Sequence, residues 1–134
     1  MVDGQGLPLA QSLTAANLHD SQQALALLDS IAPVKAARGR PRRRPHKLHA
    51  DKAYDHRFIR QGLRQRHIRP RLARRGIDSS QQLGKHRWKV ERTGAWLHGM
   101  RRLAVRYERR TDIHYAFLQL GCCLVLFLAL TRWF

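Results

Sequence analysis

Two acidic residues are the first indication of chemistry in this sequence. Asp51 follows a short alternation of polar and apolar residues, and Glu91 lies inside a long basic stretch with helical periodicity. Acids are scarce in this chain, which has 26 Lys and Arg against 9 Asp and Glu. Enzymes that break phosphodiester bonds commonly hold two divalent metal ions, and Mg²⁺ prefers carboxylate oxygens. Asp51 and Glu91 are therefore candidate metal ligands of an enzyme acting on nucleic acid.

Ordinary structural roles compete with this interpretation. An Asp that follows a strand is more commonly a turn or cap residue. A Glu beside an Arg on a helix is more commonly part of an exposed ion pair, which contributes little to stability. Spacing alone leaves these alternatives open for both Asp51 and Glu91.

The charge of the chain points to a polyanionic partner. The net charge is +17, and all of the Lys and Arg residues follow residue 34. Such a field attracts nucleic acid first; a ribosomal protein, a protein that binds anionic membranes and a merely basic composition are the alternatives. A Gly/Pro/Arg-rich connector over residues 35–47 is expected to be a mobile loop, and it supplies three candidate DNA contacts: Arg42, Arg43 and Arg44.

A second basic cluster follows the connector. Its eight arginines are expected on one helix and the strand and loop after it: Arg57, Arg60, Arg64, Arg66, Arg69, Arg71, Arg74 and Arg75. If about eight phosphate contacts form, the logarithm of the affinity should fall with the logarithm of salt at a slope near −7. Such contacts carry no sequence information. A solvated basic face is the alternative.

Apolar periodicity predicts the elements that must position these residues. Asp3 to Gly6 has turn chemistry. Strands are expected over residues 7–14, 47–51 and 68–72, and a loop over residues 74–83. Helices are expected from a cap at Asp20 or Ser21 to Pro33, from a cap at Asp55 to Arg66, over residues 85–109, and from a cap at Thr111 or Asp112 onward. This alternation of strands and helices is an α/β arrangement.

The C-terminal apolar run, residues 116–130, allows two interpretations. It has about fifteen residues, whereas a bilayer span needs roughly 20. We therefore expect a helix buried in the core, with a membrane anchor as the alternative. The adjacent Cys122 and Cys123 are expected to be buried and reduced, which favours the cytosol.

Several motifs in order resemble one family. Residues 50–55, ADKAYD, and residues 84–93, GKHRWKVERT, closely resemble the catalytic blocks of DDE transposases from bacterial insertion sequences. Residues 7–10, LPLA, and 13–21, LTAANLHDS, resemble the segment that precedes those blocks. RRL at 101–103, RYERR at 106–110 and DIH at 112–114 resemble the segment that follows. The resemblance covers nearly the whole chain.

The resemblance implies a ribonuclease-H-like fold, Mg²⁺ or Mn²⁺ as cofactor, and DNA as partner, at both the element ends and the target. In that family a metal-activated water nicks DNA, and the freed 3′-hydroxyl attacks target DNA. Asp51 matches the second catalytic acid of the family, and Glu91 matches the third. A homo-oligomer assembled on DNA and a location at the bacterial nucleoid, in the cytoplasm, are also implied.

The resemblance also suggests DNA contacts on the helix that carries Glu91. Arg87 matches a basic residue that accompanies the family's Glu, and a spacing of four residues puts both on one helix face. Lys89, Arg92 and His98 are further candidates. A plain Arg–Glu surface pair is the alternative for Arg87. Gly84 departs from the pattern, because related elements can carry Tyr there.

The family's first catalytic Asp belongs on a strand upstream of everything in this sequence. We therefore expect an N-terminally truncated core that is inactive alone, either a truncated copy or the second half of a frame-shifted gene whose first half would be its partner. Its expected segments are residues 1–46, 47–110 and 111–134. A non-enzymatic DNA-binding protein is the main alternative, and a small membrane-associated basic protein is a weaker one.

Overall fold

The computed structural model describes residues 1–35, 37–74, 77 and 80–133. The chain forms two compact units. The first unit combines Met1–Ala15 with the residues from Trp88 onward, and the second is the continuous segment Ala16–Arg87. Helices and strands are mixed, so the predicted α/β class is confirmed. The boundaries expected at residues 46 and 110 stay a prediction.

The second unit is built on a strand–helix–strand motif. Strand β1 is Lys47–Ala50, helix α2 is Arg57–Gln65 and strand β2 is Arg69–Leu72. The strands are parallel, and their register runs from Lys47 opposite Arg69 to Ala50 opposite Leu72. Both strands lie within one residue of their predicted bounds, because local alternation of apolar and polar residues is a strong strand signal.

Helix α2 begins differently from the prediction. His56 is its N-cap residue, and no side chain caps the helix there. Asp55, the predicted cap, instead forms an ion pair with Arg60 at 2.7 Å. At the other end, the backbone N–H of Ile68 donates to the carbonyl of Leu63 at 2.9 Å, which leads the chain directly into β2.

The core of the second unit lies between α2 and the strands. Ile59 and Leu63 on α2 have no exposed surface, and Ile68 and Leu72 are also buried. Helix α1, Ala24–Asp29, packs on α2. The packing is close because α2 has a glycine, Gly62, where a Cβ atom would collide with the Leu25 side chain.

The first predicted helix is shorter than expected. A 3-10 turn, Asp20–Gln23, precedes α1, and its N-cap is His19 rather than Asp20 or Ser21. The His19 ring nitrogen Nδ1 accepts a hydrogen bond from the Ser21 backbone N–H at 3.2 Å. Helix α1 ends at Asp29, ahead of the predicted stop at Pro33.

The first unit opens with the predicted turn. The Asp3 carboxylate accepts hydrogen bonds from the backbone N–H groups of Gln5 and Leu7, both at 2.8 Å, and Gly6 supplies a φ of 86°. The predicted strand over residues 7–14 is wrong. That segment contributes a single bridge, Val2 to Pro8, because a strand needs a hydrogen-bonded neighbour along its length.

The long predicted helix is interrupted. Helix α3 is Ser80–His98, and a short helix α4, Arg101–Ala104, follows. The interruption falls at Gly99 and Met100, where Met100 adopts an extended backbone as the N-cap of α4, and glycine weakens a helix interior. The loop predicted over residues 74–83 is wrong from Ser80 on, and 75, 76, 78 and 79 lie outside the described residues.

The last helix, α5, is Thr111–Trp133. The prediction that it is buried in the core is wrong: within the apolar stretch Thr111–Thr131 only 17% is buried, with a mean hydropathy of 2.1. By length and composition alone, α5 could cross a membrane. The reason for the exposure is that apolar residues surround the helix, whereas only one side packs, through residues such as Cys122 and Val125.

The two cysteines of α5 differ in exposure. Both are free thiols, but Cys122 is buried and Cys123 is exposed. The prediction of buried cysteines is therefore right for Cys122 and wrong for Cys123, because neighbours on a helix point about 100° apart. Burial raises the pKa of the Cys122 thiol above its ordinary value.

Candidate functional site

Asp51 lies directly after β1 and begins a new turn. Its side chain accepts a hydrogen bond from the Ala53 backbone N–H at 3.0 Å, so Asp51 is the N-cap of the 3-10 helix Lys52–Tyr54. The turn-capping role, which was the alternative to a catalytic role, is therefore observed. It is compatible with metal binding, however, because a carboxylate has about four acceptor sites, and this hydrogen bond uses one of them.

An open cleft of about 480 Å³ adjoins Asp51 in the second unit. Its lining comes from two parts of this unit and consists of Ala16, Asn17, Leu18, His19, Asp20, Asp51, Ala53 and Tyr54. The 3-10 turn that starts at Asp20 brings a second carboxylate to the cleft. His19 is fixed there by its hydrogen bond with the Ser21 hydroxyl at 2.6 Å.

Both carboxylates of the cleft act electrostatically on the Tyr54 phenol. Burial raises the pKa of its phenol above the ordinary value, and the negative charges of Asp20 and Asp51 raise it further. The phenol therefore stays protonated at neutral pH and can donate a hydrogen bond. Sequence reasoning missed Asp20 as a cleft residue and assigned it only a capping role; its place in the motif LTAANLHDS was the available signal.

The acidic side chains of this cleft are of the chemical type that binds a hard divalent cation. Asp20 and Asp51 offer carboxylate oxygens, which Mg²⁺ and Mn²⁺ accept readily. Across the ranges that the structure describes, no group of three or more His, Cys, Asp and Glu side chains could hold a metal ion. The cleft therefore fits a divalent metal in the chemistry of its donors, because Mg²⁺ is commonly held by one or two carboxylates and retains several waters.

Glu91 is an exposed residue of α3 in the first unit. Asp51, in contrast, belongs to the second unit. Arg87 lies one turn before Glu91 on the same helix, and both residues interact with other groups of the chain. Their spacing is therefore as predicted, while their roles in catalysis stay predictions.

Two of the predicted DNA contacts on α3 have a structural task. The Lys89 ammonium donates to the Gly4 carbonyl, and the Arg92 guanidinium donates to the Gln5 carbonyl. These bonds hold the N-terminal turn. The guanidinium of Arg92 also lies between two indole rings, those of Trp88 and Trp96, at 4.7 Å from each ring centroid. DNA binding by Lys89 and Arg92 stays a prediction and would have to coexist with these contacts.

The remaining predicted contacts are exposed. His98 lies in the last turn of α3. Arg42, Arg43 and Arg44 are exposed in the connector. The connector expected to be mobile contains an antiparallel bridge, with two backbone hydrogen bonds of 2.8 Å between Val34 and Arg42.

The eight-arginine cluster divides into two groups. Arg60 pairs with Asp55 and donates to the Leu72 carbonyl at 3.0 Å, and Arg66 binds both carboxylate oxygens of Asp29 at 2.6 and 2.7 Å. These two arginines are engaged within the protein. The exposed ones are Arg57, Arg64, Arg69, Arg71 and Arg74, and Arg75 lies outside the described residues.

Comparison with known proteins identifies a similar family. The family described as "Transposase DDE domain" matches residues 1–126. A protein of Burkholderia cepacia, "Putative transposase for insertion sequence element IS402", is 50% identical over 132 residues. The match covers 98% of this chain but only 63% of that protein, so the chain spans less than two thirds of its relative. No solved structure matches the chain.

Proposed function

Because this chain belongs to the DDE transposase family, we propose that it forms part of the catalytic domain of an insertion-sequence transposase and acts in DNA transposition. The observation that carries the proposal is the family match over residues 1–126, together with the position of Asp51. This carboxylate follows a parallel strand and borders an open cleft. The carboxyl ends of parallel strands are where α/β proteins place their ligand sites.

We propose Asp51 and Glu91 as metal ligands, with Asp20 at the edge of the same cleft as Asp51. Mg²⁺ or Mn²⁺ held by such acids would activate the attacking oxygen and stabilise the leaving oxygen of a phosphodiester. The protein's own part is to hold the carboxylates in place. The hydrogen bond from Ala53 to Asp51 fixes one of them at 3.0 Å.

DNA is the proposed partner, both at the ends of the element and at the target. The net charge of +17 supports this assignment, as do the exposed arginines of the connector, since phosphate contacts provide most of the affinity of non-specific DNA binding. Arg87, one turn from Glu91, would hold a phosphate near the reacting bond. We place the protein in the bacterial cytoplasm, at the nucleoid, and propose that it assembles on DNA as an oligomer.

A ribonuclease-H-like core is the proposed fold. The strand–helix–strand motif with an acid after its first strand supports it, because that arrangement brings a carboxylate to one edge of a parallel sheet. We propose that residues 1–134 form a single partial catalytic domain. The family pattern has three catalytic acids, and Asp51 and Glu91 match two of them, so we propose that this chain alone binds DNA without cleaving it.

The test uses a chimera with the relative. The aligned 132 residues of the Burkholderia cepacia protein are replaced by this chain, and excision of an element with that protein's terminal repeats is measured in cells. We expect excision by the chimera and its loss to background with Asp51→Asn or Glu91→Gln. Asp112→Asn is the matched control: it also neutralises an exposed acid, and excision should persist.

Metal binding provides a second readout. Electron paramagnetic resonance of Mn²⁺ with the purified chimera should show bound ion, and either site substitution should weaken that binding. Unchanged Mn²⁺ binding and excision in the Asp51→Asn chimera would exclude Asp51 from the site. If all chimeras bind DNA but none binds Mn²⁺ or excises the element, a DNA-binding protein without catalysis becomes the better description.

A further inference from the structure

The two strands of the second unit alternate strictly between exposed and covered residues. On β1, Lys47 and His49 are exposed while Leu48 and Ala50 are half-buried. On β2, the exposed residues are Arg69 and Arg71, and the residues between and after them, Pro70 and Leu72, are half-buried and buried. Side chains of a strand point alternately to opposite faces of the sheet. All four exposed residues therefore share one face.

The strand register pairs these residues across the sheet. Lys47 lies opposite Arg69, and His49 lies opposite Arg71. Neighbouring strands are about 4.8 Å apart, and residues two apart on a strand are separated by about 6.6 Å. The four side chains, Lys47, His49, Arg69 and Arg71, thus form a compact basic patch, which we call the basic sheet face.

Helix α2 covers the opposite face of the sheet. Its buried residues Ile59 and Leu63 form the core together with Leu72, which points away from the basic sheet face. Parallel sheets are almost always covered on both faces. An apolar element packed on the basic sheet face would bury the charges of Lys47, Arg69 and Arg71 without partners, which is strongly unfavourable. A partner that covers this face must therefore bring negative charge.

The cations of this face also differ from those that the protein neutralises itself. Within the described ranges, the side chains of Lys47, Arg69 and Arg71 have no hydrogen-bond or ion-pair partner, whereas Arg60 and Arg66 each bind a carboxylate. Like charges directly opposite each other on a sheet are destabilising. The repulsion between the cations of this face is therefore unfavourable, and an anionic partner would reduce it.

We propose that the basic sheet face binds the sugar–phosphate backbone of duplex DNA. This inference rests on the proposed function and assigns a particular surface to the DNA. Its ligands are evenly spaced phosphates, which extended rows of Lys and Arg can follow without reading the bases. The face holds the duplex on the same motif that carries Asp51, since β1 ends one residue before that acid.

The experiment measures DNA binding by the whole chain at increasing salt. Fluorescence anisotropy of a labelled duplex of mixed sequence gives the slope of the logarithm of affinity against the logarithm of salt. The test variant is Arg69→Gln/Arg71→Gln, and Lys47→Gln/Arg69→Gln is a second variant on the same face. The matched control, Arg101→Gln/Arg109→Gln, removes the same net charge from two exposed positions in the first unit.

Each sheet-face variant should reduce the magnitude of the slope by about 2, since each lost phosphate contact contributes about 0.9. The control should change the slope by less than half as much. The altered side chains are exposed, so circular dichroism should show the same fold in every variant. Equal slopes for the sheet-face and control variants would overturn the basic sheet face while leaving the proposed function intact. Absence of DNA binding by the unaltered chain would overturn both.

Discussion

The two units of this chain bury their apolar residues to very different degrees. In the second unit, Ile59 and Leu63 of α2 are completely buried against neighbouring elements. In the first unit, the 23-residue helix α5 leaves large residues such as Phe127 and Leu120 at least 60% exposed. The second unit is one continuous segment whereas the first joins two distant parts of the chain. The strand–helix–strand motif buries its apolar residues within one continuous segment, whereas the apolar surface of α5 can be buried only by other elements.

Two long-range hydrogen bonds join the separate chain segments of the first unit. Thr93 on α3 is buried and donates a hydrogen bond to the Gly6 carbonyl of the N-terminal turn. Tyr115 on α5 donates to the Gln11 carbonyl at 3.2 Å. These bonds join residues 87 and 104 positions apart, respectively. The N-terminal segment of the first unit is therefore held by hydrogen bonds to helices that lie far away in the sequence.

The largest expected effect tests the apolar core of the second unit. Leu63→Ala should destabilise that unit by about 2–5 kcal/mol, because it removes buried methyl groups and leaves a cavity. The matched change Leu130→Ala, at a position 58% exposed on α5, should cost less than about 0.5 kcal/mol. Hydrogen exchange of α2 and β2 amides measures the first change, exchange of α5 amides measures the second, and urea unfolding follows both. Similar costs for the two variants would contradict the contrast between the units.

The next largest expected effect tests the hydrogen bond between Thr93 and the Gly6 carbonyl in the first unit. Thr93→Val keeps the shape but removes the hydroxyl that bonds the Gly6 and Lys89 carbonyls. We expect a loss of about 1–3 kcal/mol, because the Gly6 carbonyl would be left without its partner. Fluorescence of Trp88 and Trp96 follows unfolding of this unit. Thr131→Val is the control, since its hydroxyl donates to the Leu128 carbonyl of the same helix; an equal loss there would argue against a specific role for the Thr93 hydrogen bond.

Two glycines of the first unit should respond with opposite signs. A Cβ atom at Gly121 would lie 2.9 Å from Leu103 and 3.0 Å from Met100, whereas one at Gly94 would meet nothing within 4 Å. Gly94→Ala should stabilise α3 by about 0.5–1 kcal/mol through helix propensity. Gly121→Ala should destabilise by about 1 kcal/mol, because crowding outweighs the same gain. Thermal unfolding followed by tryptophan fluorescence distinguishes them; stabilisation by both would show that α5 is loosely packed there.

Sequence reasoning predicted best where structure is local. The strands at Lys47–Ala50 and Arg69–Leu72 and the helix between them follow from alternation and periodicity over a few residues. The strand expected at residues 7–14 failed, because strand formation depends on a neighbour that periodicity does not reveal. The burial expected for α5 failed for the same reason, since an apolar sequence does not specify what will cover it.

The candidate site was predicted in part. Asp51 was correctly placed at the end of a strand, because that position depends on local pattern. Asp20 was missed as a cleft residue, since 31 positions separate it from Asp51 and only folding brings both to one cleft. Lys89 and Arg92 show a further limit. A basic residue on a helix has the same sequence signal whether it binds a phosphate or a carbonyl of its own chain.

The smallest expected effect concerns an ion pair of the second unit. A side-chain hydrogen bond from Arg66 lowers the pKa of Asp29 below its ordinary value of 3.8. A lowered pKa in the folded state means that the pair stabilises the unit above pH 3.8 and that this contribution is lost as pH falls through the lowered pKa. Asp29→Asn should therefore reduce urea stability slightly at pH 7 and not in strong acid, and added salt should weaken the effect.

The first unit offers the control for that ion pair. Asp112 also has a lowered pKa, through its hydrogen bond from Arg110, and the two side chains are bonded at 2.5 Å. These partners are only two residues apart and both are exposed, whereas Asp29 and Arg66 are 37 residues apart. A partner two residues away can pair with Asp112 in the unfolded chain as well, so Asp112→Asn should lower the urea midpoint at pH 7 less than Asp29→Asn does. An equal pH-dependent loss in both variants would show that local charge, rather than the tie between α1 and the end of α2, is being measured.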